Sequence, residues 1–239
     1  MRITSIILLV LLKTINTFGQ QTEFGISLNS GLFSFRGPSA EKETFILVNE
    51  ASEDNLTCTN NPHGSKNGLL YGFSINLQLL TKRKFILGID LGYENLRSLI
   101  LIKHILILQD FGSFPPYNAK GKSILNQHFI NVNPYFGYSV KLKRYSMDFL
   151  AGTDLAYCLF GKERGSWVQE FDYEKQTITK NRSTIRFDFR PRIQSTIQYK
   201  KYGLYAAYSI GLVNYKSDYV GGVNECYSRM FRFGLTYKL

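Results

Sequence analysis

The chain has 239 residues, 44% of them apolar, 20% charged and 15% aromatic, and 29 Lys+Arg against 18 Asp+Glu give it a formal net charge of +11. That apolar content excludes a disordered chain, and the lack of any run of 18 or more apolar residues excludes a helical membrane protein with several spans. Twenty Gly, 16 Tyr and 18 Phe beside six Pro favour strands, because aromatic side chains suit a pleated surface. A basic, aromatic-rich chain of this kind is either a nucleic-acid binder or a β-protein whose membrane face disappears in averages, and the residue pattern has to separate the two.

At the N-terminus, Arg2 precedes Ile6-Ile7-Leu8-Leu9-Val10-Leu11-Leu12, interrupted only afterwards by Lys13, and a polar stretch then leads to Thr17-Phe18-Gly19. A basic start, a short apolar core and small residues before a cut at Gln20 read as a cleaved secretory signal peptide over residues 1–19, leaving one domain, 20–239. Cleavage removes Arg2 and Lys13 and lowers the net charge to +9.

From there the dominant signal is period two. Phe24, Ile26 and Leu28 alternate with small or polar residues, and so do Leu69, Tyr71, Phe73, Ile75, Leu77 and Leu79. The pattern returns at Phe85 to Tyr93, Ile130 to Leu142, Tyr145 to Tyr157, Ile185 to Tyr199, Leu204 to Leu212 and Phe231 to Leu239, which makes eight strands. Short basic turns near Thr81–Lys84, Lys143–Tyr145 and Lys200–Gly203 alternate with long segments near 36–66, 97–125, 161–182 and 216–227. Three short links on one side and four long ones on the other are the layout of an up-and-down barrel.

Alternation alone does not say which face is wet. An eight-stranded barrel has an interior just wide enough for side chains to fill, so large apolar residues from every strand would overfill it. Gly25, Gly31, Gly72, Gly88, Gly92, Gly137, Gly152, Gly211 and Gly234 all share the polar phase, where a narrow interior needs small residues. The same phase carries Asp90, Glu94, Asp148, Asp154, Arg186, Asp188, Arg190, Arg192 and Arg232, and a basic side chain facing lipid near the midplane would cost about 2–4 kcal/mol. The expected fold is therefore all-β, an eight-stranded antiparallel up-and-down transmembrane β-barrel with a filled polar lumen and no wide pore.

Candidate chemistry is sparse. Acyl transfer or hydrolysis near a membrane needs a His with a Ser or carboxylate, and the chain offers only His63, His104 and His128, with Ser123 near His128 in sequence. These histidines read as solvated or hydrogen-bonded surface groups, and Asp148 and Asp154 as salt-bridge partners in the lumen. Cys58, Cys158 and Cys226 lack zinc-like spacing, so neither metal nor cofactor is expected. Cys58 and Cys226 fall in the first and fourth long loops, which barrel closure brings together, so a disulfide between them is possible. The run Leu99-Ile100-Leu101-Ile102-Lys103-His104-Ile105-Leu106-Ile107-Leu108 is too short for a helical span; it is either an extension of the third strand packed on neighbouring loops or a partner-binding edge presenting Leu99, Leu101, Ile105 and Ile107.

The Asn133-Pro134-Tyr135-Phe136-Gly137-Tyr138 strand, the leader ending in Gly19-Gln20 and the closing Phe231-Arg232-Phe233-Gly234-Leu235-Thr236-Tyr237-Lys238-Leu239 resemble Bacteroidota-type outer-membrane β-barrel proteins of the PorT-like family. The resemblance implies a bacterial outer-membrane location and recognition of the last strand by the barrel-assembly machinery, although this chain ends in Leu239 where Phe is commoner. It implies little about activity, because such small barrels serve as adhesins, anchors, enzymes and secretion components. Three functions follow as expectations: a non-enzymatic barrel whose long external loops have structural or partner-binding roles, an accessory of an outer-membrane secretion system, or a lipid A acyl-modifying enzyme. Expected partners are outer-membrane lipids and a protein at the loops. The turns Lys82-Arg83-Lys84, Lys141 to Arg144 and Lys200-Lys201 hold much of the excess charge, where they would meet lipid headgroups or simply water, so nucleic acid is not expected.

Overall fold

The computed structural model describes residues 21–50, 56–109, 112–113, 116–170, 174–217 and 223–239. The expected signal peptide lies outside the described residues. Among the described residues there are twelve strands: β1 (Gln21–Arg36), β2 (Glu43–Asn49), β3 (Leu56–Thr59), β4 (Lys66–Leu80), β5 (Phe85–Gln109), β6 (Gly112–Ser113), β7 (Tyr117–Leu142), β8 (Tyr145–Gln169), β9 (Lys175–Asn181), β10 (Phe187–Tyr199), β11 (Tyr202–Ile210) and β12 (Tyr227–Lys238). Eight of them make the wall. β1 pairs with β4, β4 with β5, β5 with β7, β7 with β8, β8 with β10, β10 with β11, β11 with β12 and β12 with β1, all antiparallel, so the pairing runs full circle.

Side-chain period two fixes what this wall presents. Phe24, Ile26, Leu28, Phe73, Ile75, Leu87, Phe136, Phe149, Phe187, Ile193, Leu204, Phe231 and Leu235 point outward and are exposed. The alternate positions face the interior, where Gly25, Gly88, Gly211 and Gly234 let opposing side chains approach. A Cβ at Gly88 would fall on the Tyr135 ring, and one at Gly234 on the Tyr205 ring. The short turns follow the strand pairing: Lys143-Arg144 joins the paired Leu142 and Tyr145, and Lys200-Lys201 joins the paired Tyr199 and Tyr202. Lys84, Lys143 and Lys200 each occupy the left-handed region, which glycine enters at least cost, so all three turns keep a cation where backbone strain alone would favour its loss.

The eight expected strands are present, but the long links between them are not simple loops. β5, β7 and β8 continue far beyond the level where β4 and β10 stop, and β2, β3, β6 and β9 add to them. On this loop side the order is β3-β2-β5-β7-β8-β9, with β2 parallel to β5 from the Glu43↔Leu101 pair onward. Extended strands exposed on both edges would leave rows of unpaired N–H and C=O groups, which the added strands satisfy. The extension encloses a second apolar core of Ile46, Ile102, Ile105, Ala119, Trp167 and Ile178. The run at 99–108 is therefore strand, paired on one side with β7 and on the other mainly with β2, and not a free edge. Ile105 is buried in the second core and Ile107 packs against it, while Leu99 and Leu101 are half-buried.

Because Gly88 lies under the Tyr135 ring of the neighbouring strand β7, Gly88→Val should overpack the interior and cost about 1–3 kcal/mol, read as a lower urea midpoint for the variant.

Candidate functional site

The interior residues converge on one layer of charge. Arg232 on β12 donates from Nε to Glu94 Oε1 at 2.5 Å and from Nη2 to Glu94 Oε2 at 2.8 Å, and the same Nη2 reaches Asp154 Oδ2 at 2.9 Å. Its Nη1 donates to Ser209 Oγ at 2.6 Å, and Ser209 in turn donates to Asp154 at 3.2 Å. Asn131 Nδ2 completes the Glu94 shell at 2.6 Å. Beside this group Arg190 Nε donates to Asp188 Oδ2 at 2.6 Å, and its guanidinium lies 4.4 Å from the centre of the Phe129 ring. Asp188 also accepts from Tyr215 Oη at 2.7 Å and Ser228 Oγ at 2.8 Å. Arg192 reaches Asp154 at 3.4 Å and Asp90 at 3.9 Å. Arg190 and Arg232 have no exposed surface at all, a burial that is tolerable only because each guanidinium is paired and hydrogen-bonded.

Of the charged residues placed in the interior by phase, Asp90, Glu94, Asp154, Asp188, Arg190, Arg192 and Arg232 meet in this layer. Asp148 is buried nearer the turn side and has no cation within 4 Å among the described residues, because Lys238 takes Glu23 at 2.5 Å instead. Arg186 is a correction. It lies just before β10 begins, where alternation no longer governs direction, and its side chain is exposed. Sequence reasoning does not single out Ser209, Ser228 or Asn131, and it reads Tyr215 as an aromatic residue of the fourth loop at the membrane interface or in contact with a ligand, whereas the side chain is buried in the interior. The first three sit in the polar phase and carry a weak signal; Tyr215 lies outside any strand, so nothing in the spacing pointed to it.

Above the charge layer the interior turns apolar, which corrects the expectation of a uniformly polar filling. Phe33, Phe35, Leu70, Leu96, Leu125, Phe129, Tyr215, Cys226 and Met230 form a buried cap. Phe33, Phe35, Leu70, Leu96, Leu125, Phe129 and Met230 share the small and polar phase of their strands, so apolar residues intruding into that phase near the loop ends are the available signal. His63, expected at the surface, is buried here, with its ring centre 4.9 Å from that of Phe35. Asn61 Oδ1 accepts from the His63 backbone N–H, and Asn61 Nδ2 donates to Ser39 O at 2.9 Å, so a short side-chain relay pins the loop over the cap. Burial, reinforced by Lys216 and Arg182, pushes the His63 imidazole down to about 3, and burial pushes the Cys226 thiol up to about 12.

The other chemical candidates are not brought together. His128 contacts Tyr93 Oη at 2.5 Å and the Asn95 amide, and stacks on Phe160 at 4.1 Å. Ser123 donates instead to Glu163 Oε1 at 2.6 Å, and Glu163 accepts from Arg182 Nε at 2.6 Å, with Arg182 Nη2 reaching Thr59 O at 2.7 Å. His104 is exposed on β5. All three cysteines are free thiols: Cys226 lies in the cap and Cys58 packs against the second core, so the possible Cys58–Cys226 disulfide is not formed. No group of three or more His, Cys, Asp or Glu suited to a metal occurs among the described residues.

Two outcomes test this arrangement. Glu94→Gln leaves Arg232 without its bidentate carboxylate and should cost about 3–5 kcal/mol, whereas Arg186→Gln should stay within about 0.5 kcal/mol; urea unfolding midpoints compare them. For His63 the folded value lies below the unfolded one, so its contribution is fully present above about pH 6.5 and is lost progressively as pH falls toward 3. Hydrogen exchange corrected for intrinsic rates should show Phe35 and Tyr215 opening more readily at pH 5 than at pH 7.5, and His63→Phe should flatten that difference.

No protein-family profile matches this chain, and no curated protein sequence does. Among solved structures it is similar to Ail, the attachment invasion locus protein of Yersinia pestis, solved with the heparin analogue sucrose octasulfate, at 11% identity and a TM-score of 0.32 over 92% of this chain and 99% of that one. Neisserial surface protein A matches at 11% identity and 0.35 over 92% and 99%, and the outer membrane protease OmpT of Escherichia coli at 9% identity and 0.37 over 92% and 96%.

Proposed function

We propose that this chain is an integral outer-membrane β-barrel protein without enzymatic activity, whose loop-side sheet is a platform for partners. The observation that carries the reading is the continuous outward apolar belt around a buried charge layer. Each large apolar side chain held in water forgoes about 1.5–3 kcal/mol of burial, so a belt encircling every wall strand belongs in lipid. Its height agrees: Phe85 to Tyr93 on β5 is nine residues of outward alternation, the length of a tilted membrane-crossing strand.

Aromatic residues bound the belt on both sides. At the turn side Tyr145 meets Tyr199 at 5.1 Å, Tyr202 meets Tyr237 at 5.2 Å and Phe85 meets Tyr138 at 5.5 Å. At the loop side Phe73 meets Tyr93 at 5.8 Å and Tyr157 meets Phe187 at 5.0 Å. Two such girdles suit the two interfaces of a bilayer. The turn side then faces the periplasm and the extension faces outward.

The non-enzymatic reading is supported by the separation of His128 from Ser123, each bound to other partners. The charge layer with the cap above it supports a role other than solute passage. A narrower form of the proposal, suggested by the PorT-like resemblance of the Asn133–Tyr138 strand and the closing strand, makes the protein an accessory of outer-membrane secretion.

The folded protein should migrate faster on a gel before boiling than after, and protease added to intact cells should cut only in the loop-side segments; cleavage within the wall strands would sink the barrel reading. Crosslinking followed by co-purification should recover secretion components if the narrower reading holds, and unaltered lipid A mass spectra on deletion are expected for a non-enzyme.

A further inference from the structure

We propose that the outer face of the loop-side extension binds the phosphorylated saccharide headgroup of the surrounding outer-leaflet glycolipid, lipopolysaccharide. This rests on the outer-membrane reading above. Beyond the loop-side girdle, alternation continues on β5, β7, β8 and β9, but basic residues now join the outward face beside the half-buried Leu99, Leu101, Ile124 and Val168. Lys103, Lys120, Lys122, Lys162, Arg164 and Lys175 occupy this face, each exposed or half-buried. Strand pairing sets them side by side: Lys120 lies opposite Val168, which lies opposite Lys175, and Lys122 lies one outward step away, opposite Ser166.

Lys103 is held by Glu43 at 3.7 Å. Among the described residues, none of Lys120, Lys122, Lys162, Arg164 and Lys175 has a carboxylate within 4 Å, in contrast to the paired arginines of the interior. Lys103, Lys120, Lys122 and Lys175 border a shallow groove of about 370 Å³ whose lining also includes Leu101, Ser166 and Val168. Gly121, between the outward Lys120 and Lys122, faces inward, where a Cβ would run into Ser166 O and Trp167 Cβ, so β7 and β8 stay closely paired beneath the lysines.

Position selects the occupant. At about 3.3 Å per residue, Lys162 and Arg164 lie some 7 and 13 Å along β8 past Phe160, and Lys122 and Lys120 some 20 and 26 Å along β7 past His128. The cations thus begin at headgroup level and climb outward. They also face sideways from the wall, so what stands opposite them is the neighbouring lipid's headgroup and not open solvent. Phosphates carried on a lipid-anchored saccharide meet this row by charge complementarity, each near-surface Lys or Arg adding to the attraction.

The test uses the full mature chain, folded in neutral detergent, with binding of purified lipopolysaccharide read by native mass spectrometry or by the shift in unfolding midpoint. The triple variant Lys120→Gln, Lys122→Gln and Lys175→Gln should bind about tenfold less or weaker still, and enzymatically dephosphorylated lipopolysaccharide should lose the same preference on the unaltered protein. A matched variant of the turn side, Lys82→Gln with Arg83→Gln, should bind as the unaltered protein does. Equal binding of phosphorylated and dephosphorylated lipid, or no loss in the triple variant, overturns the inference. Binding of a soluble sulfated polysaccharide as tight as that of the lipid overturns the assignment to lipid. Heat-dependent gel migration, measured on the same samples, reports separately on the barrel: if it is absent, the outer-membrane reading has failed and not the assignment of this face.

Discussion

The contact on which the molecule depends is the clamp made by Arg232 with Glu94 and Asp154. In the ring of wall strands β12 is separated from β5 by β1 and β4, and from β8 by β11 and β10. One guanidinium therefore ties three parts of the wall across the interior. Buried charge is costly, and its cost is offset only when every partner is in place, so the clamp favours one register for all the strands that contribute to it. A slip by one residue on β12 would turn Arg232 outward into the apolar belt and bring Phe231 or Phe233 inside. Outer belt and inner clamp thus specify the same register from opposite faces.

Along its axis the interior changes character in steps. Polar side chains such as Glu23, Gln198 and Lys238 line the turn-side mouth, the arginine and carboxylate layer lies beyond them, and the cap around Phe33, Phe35 and Tyr215 follows. Tyr215 joins the last two, packing its ring on Phe35 at 4.9 Å while its hydroxyl donates to Asp188. Above the cap, Arg182 links Glu163 to the β3 backbone, and the second apolar core begins. The extension is thus a continuation of the wall with its own core, rigid enough to hold a face in one orientation, which a set of flexible loops could not do.

Legibility in the sequence followed local geometry. Strict alternation gave the eight wall strands, the direction of nearly every wall side chain and most members of the charge layer, because a strand's side-chain direction depends only on parity. Where parity failed, so did the reading: Arg186 precedes its strand, His63 sits in a connection, and Tyr215 reaches the charge layer from a turn. The long links hide four strands: β2, β3, β6 and β9 are too short for alternation to announce them, although β3 and β9 pair with segments only 7 to 19 residues away, and β2 also pairs in parallel with β5 about 60 residues on.

By itself, then, the sequence determined the class of fold, which face of each strand is apolar, and that charged residues share the opposite face, all consequences of a two-residue repeat read against the cost of placing charge in an apolar surrounding. Only the tertiary structure decided which charges meet, that the cysteines at 58 and 226 belong to separate cores, that 99–108 is enclosed by β2 and β7, and that lysines from β5, β7, β8 and β9 align on one face. Those outcomes depend on strand register between segments distant in the chain, and register is set by the ring as a whole, through backbone pairing and interior packing that no single segment contains.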